Sequence, residues 1–371
     1  MSPSAVRPPP VEGGLATIAS PIEPLELESG GVLRDAGLAY QSVGPADSDR
    51  VVLVCHALTG DANAAGSGDA SPGRAKGWWH TLVGPGRAID TRTTRVICTN
   101  VLGGCAGSTG PTSLNSKTGR AWGAEFPRVT VRDMVRAQAR LLDRLGEKAP
   151  IVVVGGSLGG FQALEWIREF PERVSGAGVI ASATSLSPFG LAFNHVGRNA
   201  IWADAKFNRG RYEPDDPPHA GLAVARQLAH LTYRSDRSMN ARFPRGEGGQ
   251  SGSGVGSYLE YKGKSFTERF DANSYLTLLD AMDTYDANAQ GHLRGELSAF
   301  SGSLLVGGFS SDWLFTPEQS RALAAIARSA GVRTTLEIFE SSDGHDAFLL
   351  PNEPFERSVR GLIDEAAGPR S

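Results

Sequence analysis

The sequence predicts an α/β protein with a mostly parallel sheet, and two observations lead to that fold class. Short apolar runs typical of buried strands alternate along the chain with stretches of helical periodicity. A parallel pair of strands needs a long crossover connection, usually a helix, so this alternation favours parallel strands. The alternation stops near Thr184 and resumes near residue 298, which predicts one core domain with a single insertion.

The first part of the core is predicted to span residues 23–183. It follows a Pro-rich segment, residues 1–22, that we expect to be a disordered lead-in. A helix is predicted over residues 131–145, because Met134 and Leu141 fall on one helical face. Strands are predicted at residues 32–42, 51–55, 95–99, 151–154 and 176–181.

Residues 184–297 interrupt the core and are predicted to form a helical lid. They combine helical periodicity with polar loops and a Gly/Ser-rich segment at residues 248–254. The second part of the core is predicted to span residues 298–371. Its strands are expected at residues 303–306 and 334–339, and its helices at residues 317–330 and 354–366.

The composition excludes several classes of function. The chain of 371 residues carries 37 basic and 40 acidic side chains, so no overall charge favours nucleic acid or a membrane surface as a partner. The three cysteines, Cys55, Cys98 and Cys105, lack the spacing of a disulfide framework or a zinc site, so we expect no metal. Without an apolar run of about 18 residues or a signal peptide, the expected location is the cytoplasm.

The clearest indication of chemistry is a serine at the centre of a glycine-rich turn. The turn reads Gly155-Gly156-Ser157-Leu158-Gly159-Gly160, and it lies between an apolar run and a helix-like stretch. Small residues flank a serine in this way where a strained strand-to-helix turn brings the backbone close to itself. Such a turn lifts the hydroxyl out of the sheet edge, so Ser157 is the candidate nucleophile.

A serine nucleophile needs a base and a group that orients the base. His345 follows the last predicted strand, and Asp312 follows the strand before it. A histidine held by a carboxylate takes the serine proton, so we assign these two roles to them. The chain order Ser157, Asp312, His345 is the order found on an α/β-hydrolase sheet, so the sequence predicts that core.

Attack on an acyl group also needs N–H donors for the oxyanion. One is predicted to be the backbone N–H of Leu158, directly after the nucleophile. The other is predicted to be the N–H of Leu58, in the loop after the strand at residues 51–55. The alternative for this second loop is an ordinary strand-to-loop turn.

Beyond these residues, the chain contains ten further characteristic stretches. They are His56-Ala57-Leu58-Thr59-Gly60-Asp61, Gly77-Trp78-Trp79, Gly84-Pro85-Gly86, Asn100-Val101-Leu102-Gly103-Gly104-Cys105, Gly107-Ser108-Thr109-Gly110-Pro111, Phe126-Pro127, Arg132-Asp133-Met134-Val135, Phe270-Asp271-Ala272-Asn273-Ser274-Tyr275, Ser310-Ser311-Asp312-Trp313-Leu314 and Gly344-His345-Asp346-Ala347-Phe348-Leu349. In these stretches the chain resembles the homoserine O-acetyltransferases, in order, from about residue 24 to residue 365. One departure is Leu158, where that family usually has methionine; the backbone N–H is kept.

The resemblance implies a helical lid, a homodimer joined through lid helices, and transfer of an acyl group from acyl-CoA to a hydroxy amino acid, with no permanently bound cofactor. By similarity, Arg226 and Tyr233 bind the acceptor carboxylate and Asp346 binds its amine. Arg226 and Tyr233 are seven residues apart, on one face of a predicted helix. The alternatives are a surface pair for Arg226 and Tyr233 and a helix N-cap for Asp346.

The expected activity is transfer of acetyl from acetyl-CoA to L-homoserine in a ping-pong scheme. A serine esterase on the same machinery is the rival, and a catalytically inactive binding protein is a third candidate. The sequence leaves open acetyl against succinyl as the donor group, and homoserine against serine as the acceptor, because these pairs differ by one carboxylate and by one methylene.

Overall fold

The computed structural model describes residues 11–66, 76–244 and 253–367. Eight strands form one sheet: β1 Val11–Ala19, β2 Ala36–Val43, β3 Val51–Cys55, β4 Arg95–Thr99, β5 Ile151–Gly156, β6 Val174–Ile180, β7 Ser303–Phe309 and β8 Arg333–Phe339. Their order in the sheet is β1-β2-β4-β3-β5-β6-β7-β8. The pairs β1–β2 and β2–β4 are antiparallel, and the five other pairs are parallel, so the predicted mostly parallel sheet is confirmed.

Helices cover the sheet and form the insertion between β6 and β7. The core helices are α1 Val131–Arg144, α2 Leu158–Glu169, α9 Pro317–Ser329 and α10 Glu353–Ala366. The insertion contains α3 Pro188–Ala203, α4 His219–Thr232, α5 Asp236–Arg242, α6 Ser253–Thr267, α7 Ala272–Asp283 and α8 Leu293–Leu297. The Gly/Ser-rich segment lies outside the described residues, except that its last two residues begin α6. Within the described ranges, no helix is long and apolar enough to cross a membrane.

The prediction of a disordered lead-in over residues 1–22 is wrong for its second half, and residues 1–10 lie outside the described residues. Val11–Ala19 forms the edge strand β1, which pairs with β2 from Val11 opposite Val43 onward. Ile18 and Ala19 are buried in the core. The Pro-rich composition at the start of the chain hid this strand, because an edge strand obtains its hydrogen bonds from a neighbour distant in sequence.

The sheet is buried on both faces, as its continuous apolar strands predict. Along β5, Ile151 and Val153 belong to one apolar cluster, whereas Val152 and Val154 belong to a second cluster across the sheet. This alternation follows from the period of two residues in a strand. The central strands are therefore fixed from both sides, and their carboxyl ends are held firmly at one edge.

Helix α1 begins where the sequence supplies a capping box. The Thr130 hydroxyl accepts a hydrogen bond from the Asp133 N–H (3.1 Å), and the Asp133 carboxylate accepts one from the Thr130 N–H (2.9 Å). These two bonds satisfy N–H groups that the first turn of a helix leaves without partners. Met134 and Leu141 are buried on the face that packs against the sheet, which confirms the predicted helix.

Candidate active site

The predicted site residues follow the carboxyl ends of parallel strands that lie side by side. Leu58 follows β3, Ser157 follows β5, Asp312 follows β7 and His345 follows β8. In an open α/β sheet, such loops share one edge and form the binding crevice. The fold therefore brings together four segments that are up to 287 positions apart in the sequence (residues 58 and 345).

Ser157 occupies a strained turn between β5 and α2. Its backbone has φ 59° and ψ −123°, a conformation that a residue with a side chain rarely adopts. The Ser157 N–H donates to the Ile180 carbonyl at the end of β6 (3.0 Å), which holds the turn in place. Helix α2 begins at the next residue, so the positive end of the helix dipole lies at Ser157 and favours negative charge there.

Close backbone approaches explain the glycines around Ser157. A Cβ on Gly159 would lie 2.1 Å from the Cys55 carbonyl oxygen at the end of β3. A Cβ on Gly156 would lie 2.6 Å from the ring of Phe348. Both distances are far below van der Waals contact, so a side chain at either position would force the neighbouring groups to shift.

We expect Gly159→Ala to lower the free energy of unfolding by about 1–3 kcal/mol, because the neighbour it meets is backbone and cannot rotate away. The measurement is urea unfolding followed by circular dichroism. Gly361→Ala is the matched control: this glycine lies within α10 with open space around it, so the change should stabilise by about 0.5–1 kcal/mol. Equal effects of the two substitutions would contradict the steric argument.

His345 and Asp312 form a buried pair. His345 Nδ1 lies 2.7 Å from Asp312 Oδ2, and both residues are buried. The other carboxylate oxygen, Oδ1, accepts hydrogen bonds from the N–H groups of Leu314 (3.0 Å) and Phe315 (2.9 Å). The carboxylate is thus fixed in orientation and holds the proton on His345 Nδ1, which leaves Nε2 free to act as a base.

Burial lowers the pKa of His345, but the Asp312 carboxylate, its hydrogen bond and the Asp346 carboxylate together raise it by more. The pKa of His345 therefore lies above the usual range of a histidine. A base must be unprotonated to accept a proton, so activity that depends on His345 should fall as the pH drops through this raised pKa.

Ser157 and His345 share neighbours. The Phe348 ring lies against Gly156, next to Ser157, and 5.5 Å from the His345 ring. The Tyr233 ring lies 6.1 Å from the His345 ring and lines one cavity together with Ser157. The Ser157 hydroxyl makes no hydrogen bond to any described residue. Catalytic hydrogen bonds of this kind often form only once substrate is bound.

Two backbone N–H groups face the site without an acceptor among the described residues. They belong to Leu58 and Leu158, the two predicted oxyanion donors. Leu58 and Ser157 line the same cavity. The Gly60 N–H donates to the Ala57 carbonyl (2.9 Å), which tightens the turn around Leu58. The arrangement leaves both donors available to a charged oxygen at the nucleophile.

His56 holds the loop that carries Leu58. Its Nε2 accepts from the Val101 N–H (3.1 Å) and the Asn100 side chain (3.2 Å), so Nδ1 carries the proton and donates to the Ala57 carbonyl (2.6 Å). Burial lowers the pKa of His56, which keeps this ring neutral. His56 is therefore a structural group and not a second base.

The three residues predicted to bind the acceptor also meet at this site. The Arg226 guanidinium lies 5.2 Å from the Tyr233 ring and donates to the Thr59 hydroxyl (3.3 Å). The Asp346 N–H donates to the Tyr233 carbonyl (3.0 Å). Arg226 and Tyr233 are half-buried beside His345, so they are not a simple surface pair.

Asp346 does not cap a helix. It lies inside the short turn Gly344–Leu349, whose first flanking residue is Asp343. Burial raises the pKa of Asp346, while His345 and nearby arginines act in the opposite direction. Its carboxylate is therefore free of a capping role and lies within reach of the site.

The chain matches known proteins over most of its length. A family model described as the α/β hydrolase fold matches residues 50–351. A homoserine O-acetyltransferase from Symbiobacterium thermophilum is 46% identical over 366 residues, which cover 94% of this chain and 94% of the relative. The chain belongs to the homoserine O-acetyltransferase family. It is therefore an enzyme with an α/β-hydrolase core, as predicted.

Solved structures agree on the fold. A homoserine O-acetyltransferase from Bacillus anthracis has a TM-score of 0.87 at 24% identity, over 95% of this chain and 98% of that chain. Esterase E22 has a TM-score of 0.86 at 26% identity, over 96% of this chain and all of that chain (100%). The same architecture thus occurs in a member of the homoserine O-acetyltransferase family and in a protein named as an esterase.

Sequence reasoning gave a role to Arg226 and Tyr233 of the lid but to none of its other side chains at the cavity. Asn194 from α3 and Tyr275 and Met282 from α7 also line the cavity of about 30 Å³ at Ser157. Tyr275 lies in one of the matching stretches, but no local pattern places these three side chains at Ser157, because their approach depends on how the lid packs on the core. Among the described residues, no group of three or more histidine, cysteine or acidic side chains could hold a metal ion.

Proposed function

We propose that this chain transfers an acetyl group from acetyl-CoA to the hydroxyl of L-homoserine through an acyl-enzyme at Ser157. The observation that carries the proposal is the high identity to a homoserine O-acetyltransferase along almost the whole chain. The buried His345–Asp312 pair next to a strained serine turn supports the mechanism.

The residues support a ping-pong scheme in two halves. In the first half, Ser157 Oγ attacks the thioester carbonyl while His345 Nε2 takes its proton. The N–H groups of Leu58 and Leu158 stabilise the oxyanion, and the CoA thiolate leaves with the proton from His345. In the second half, His345 takes the proton of the homoserine hydroxyl, which attacks the acetyl-Ser157 carbonyl. Collapse of the second oxyanion returns the proton to Ser157 and releases the O-acetyl ester.

The small cavity at the nucleophile supports acetyl over succinyl as the transferred group. Its volume of about 30 Å³ corresponds to about two water molecules. Apart from polar groups such as Asn194, its lining is mostly apolar and contains no arginine or lysine. A succinyl group would place a carboxylate against this lining, and Arg226, the cation beside Tyr233, is already assigned to the carboxylate of the acceptor, so the longer donor group is disfavoured.

The acceptor site is proposed to use Arg226 and Tyr233 for the carboxylate and Asp346 for the amine. The three groups lie beside His345, so an amino acid held by both charges would present its side-chain hydroxyl to the base. A cation and an anion at one site match the two charges of a zwitterion. This arrangement gives an acceptor with a free α-amino and α-carboxyl group an advantage over water.

We expect Arg226→Lys to raise the KM for L-homoserine by about 10- to 100-fold, because an ammonium group cannot replace the planar fork that binds a carboxylate with two hydrogen bonds. The measurement is the KM for each substrate in steady-state assays. Arg237→Lys, at an exposed position in α5, is the matched control. A change confined to the KM for acetyl-CoA would assign Arg226 to the other substrate.

The rival function is a serine esterase, which the structural match to esterase E22 favours. The two functions differ in whether water or an amino acid accepts the acyl group. Purified protein is mixed with acetyl-CoA, with and without L-homoserine, and both CoA and O-acetylhomoserine are measured. The proposal predicts CoA release that depends on homoserine and equals ester formation. CoA release at the same rate without the amino acid would contradict it.

Exposed apolar side chains on the lid support a homodimer. They lie on helices that pack against one another, α3 with α4 and α4 with α6. Exposed apolar side chains on neighbouring helices are typical of an interaction surface, and the proposed partner is a second copy of the chain. The exposed residues are Phe189, Val196, Trp202, Val224, Leu231 and Tyr261.

We expect Trp202→Glu to weaken the dimer about 100-fold or more, because a charge without a partner would be buried in the interface. The measurement is molar mass by light scattering over a range of protein concentrations. Leu114→Glu, an exposed leucine outside the lid, is the matched control and should leave the mass unchanged. A wild-type monomer at all concentrations would refute the dimer.

A further inference from the structure

Four cationic side chains of the lid gather around one aromatic pair. The pair is His230 and Tyr258, whose rings lie 5.2 Å apart and share a hydrogen bond from Tyr258 Oη to His230 Nε2 or the reverse. The Arg242 guanidinium lies 4.7 Å from the Tyr258 ring, and the Lys262 ammonium lies 5.7 Å from it. Arg226 and Arg234 are the other two cations. Together with burial, the positive charge of each lowers the pKa of both Lys262 and His230.

The positive charge of this group, which we call the lid cation cluster (Arg226, Arg234, Arg242 and Lys262), is poorly balanced. Among the described residues, Arg234 is the only one of the four within 4.0 Å of a carboxylate; it lies 3.9 Å from both Asp343 and Asp346. That distance is too long for a hydrogen bond. The Asp346 carboxylate also acts on Lys262 and Arg226 at longer range. The cluster therefore holds four cations with two loosely placed anions beside it.

Two buried polar atoms in the cluster have no partner among the described residues. They are Arg234 Nε and His230 Nδ1, and His230 itself is only 4% exposed. Burial, together with the neighbouring cations, lowers the pKa of His230 to about 3 and lowers the pKa of Lys262. Leaving such groups unsatisfied is costly, so the site is built for a ligand that supplies negative charge and hydrogen-bond acceptors.

The cluster runs from the active site toward solvent. Arg226 touches Tyr233 and Arg234 lies beside Asp346, both next to the catalytic base. Lys262 is half-buried, and Arg242 at the far end is exposed. The acceptor carboxylate balances one positive charge, that of Arg226, and three cations remain along the path out of the site.

We propose that Arg234, Arg242 and Lys262 bind the phosphate groups of the acyl donor's nucleotide tail. Guanidinium forks and an ammonium group are the side chains that bind phosphate most effectively. The acyl donor would then extend along the cluster, with its thioester at Ser157 and its phosphate groups at the outer end. This inference rests on the proposed function, because it names the part of acetyl-CoA that the lid holds.

The test compares two thioesters, acetyl-CoA and S-acetyl-N-acetylcysteamine, which lacks every phosphate. For Lys262→Ala and for Arg242→Ala, the ratio of the KM for acetyl-CoA to the KM for the short thioester should rise about tenfold. Lys262→Arg should restore most of the ratio, because it restores the charge. Lys264→Ala, an exposed lysine on the same helix, is the matched control. An unchanged ratio in both alanine variants overturns the proposal.

A binding measurement separates this proposal from the proposed function. Adenosine 3′,5′-bisphosphate and inorganic phosphate are titrated calorimetrically into the Ser157→Ala protein, with and without Lys262→Ala. Tight binding of the bisphosphate that weakens about tenfold on loss of Lys262 supports the site even if acetyl transfer to homoserine is absent. Equal affinity for inorganic phosphate and the bisphosphate would show a general anion site and overturn the assignment to the donor's tail.

Discussion

Replacing Ser157 by alanine should lower kcat for acetyl transfer by about 10⁴- to 10⁶-fold, because no other hydroxyl is held in the strained turn between β5 and α2. Intact-protein mass spectrometry after mixing with acetyl-CoA should show one acetyl adduct on the wild-type chain and none on the variant. This second measurement separates loss of the covalent step from a weaker binding of substrate.

Ser310→Ala is the matched control for this experiment. Ser310 is an exposed serine just after β7, at the same edge of the sheet, and its hydroxyl donates to Glu340. Its loss should leave both the rate and the acetyl adduct unchanged. An acetyl adduct that survives in Ser157→Ala would assign the nucleophile to another residue, and the mechanism above would fail.

Asp312→Asn should lower kcat by about 10⁴-fold. Oδ1 accepts from two backbone N–H groups, so the asparagine carbonyl would take that position and its NH₂ would face His345 Nδ1. Two donors cannot share a hydrogen bond, and the proton would move to Nε2, where the base must be free. We expect the variant to keep its fold and to lose activity because His345 carries its proton on Nε2 and cannot act as a base.

The pH profile gives this prediction a second readout. The Asp312 carboxylate holds the pKa of His345 above its usual range. Without that charge, burial is the dominant influence and lowers the pKa, so the acid limb of the kcat/KM profile should move to lower pH in the variant. Asp343→Asn, which changes a more exposed carboxylate nearby, should leave the limb in place. An unchanged rate in Asp312→Asn would mean that another carboxylate orients the base.

Local sequence was enough to place the candidate catalytic residues at one edge of the sheet, because the signals for strands and tight turns are short in range. The turn at Ser157 needs glycines on both sides, and those glycines are visible without any knowledge of the fold. Asp312 and His345 were found because each follows an apolar strand. Parallel strands place their carboxyl ends together, so the position of a residue after a strand carries spatial information.

The remaining features depended on contacts between distant segments. Strand β1 was missed because its pairing with β2 cannot be predicted from the composition of residues 11–19. The lid cation cluster was missed because Arg234, Arg242 and Lys262 come from separate lid elements, and each alone resembles a solvated surface charge. Their electrostatic coupling exists only after the lid has packed.

The sequence by itself determined the alternation of strands and helices, the strained serine turn and the order of the three candidate catalytic residues, because each depends on local backbone conformation and on burial of adjacent apolar groups. Only the tertiary structure decided the Nδ1–Oδ2 contact of His345 with Asp312, the availability of the Leu58 and Leu158 N–H groups, and the unbalanced charge of the lid. Those properties are distances and fields between groups far apart in the chain, and they arise when the chain folds.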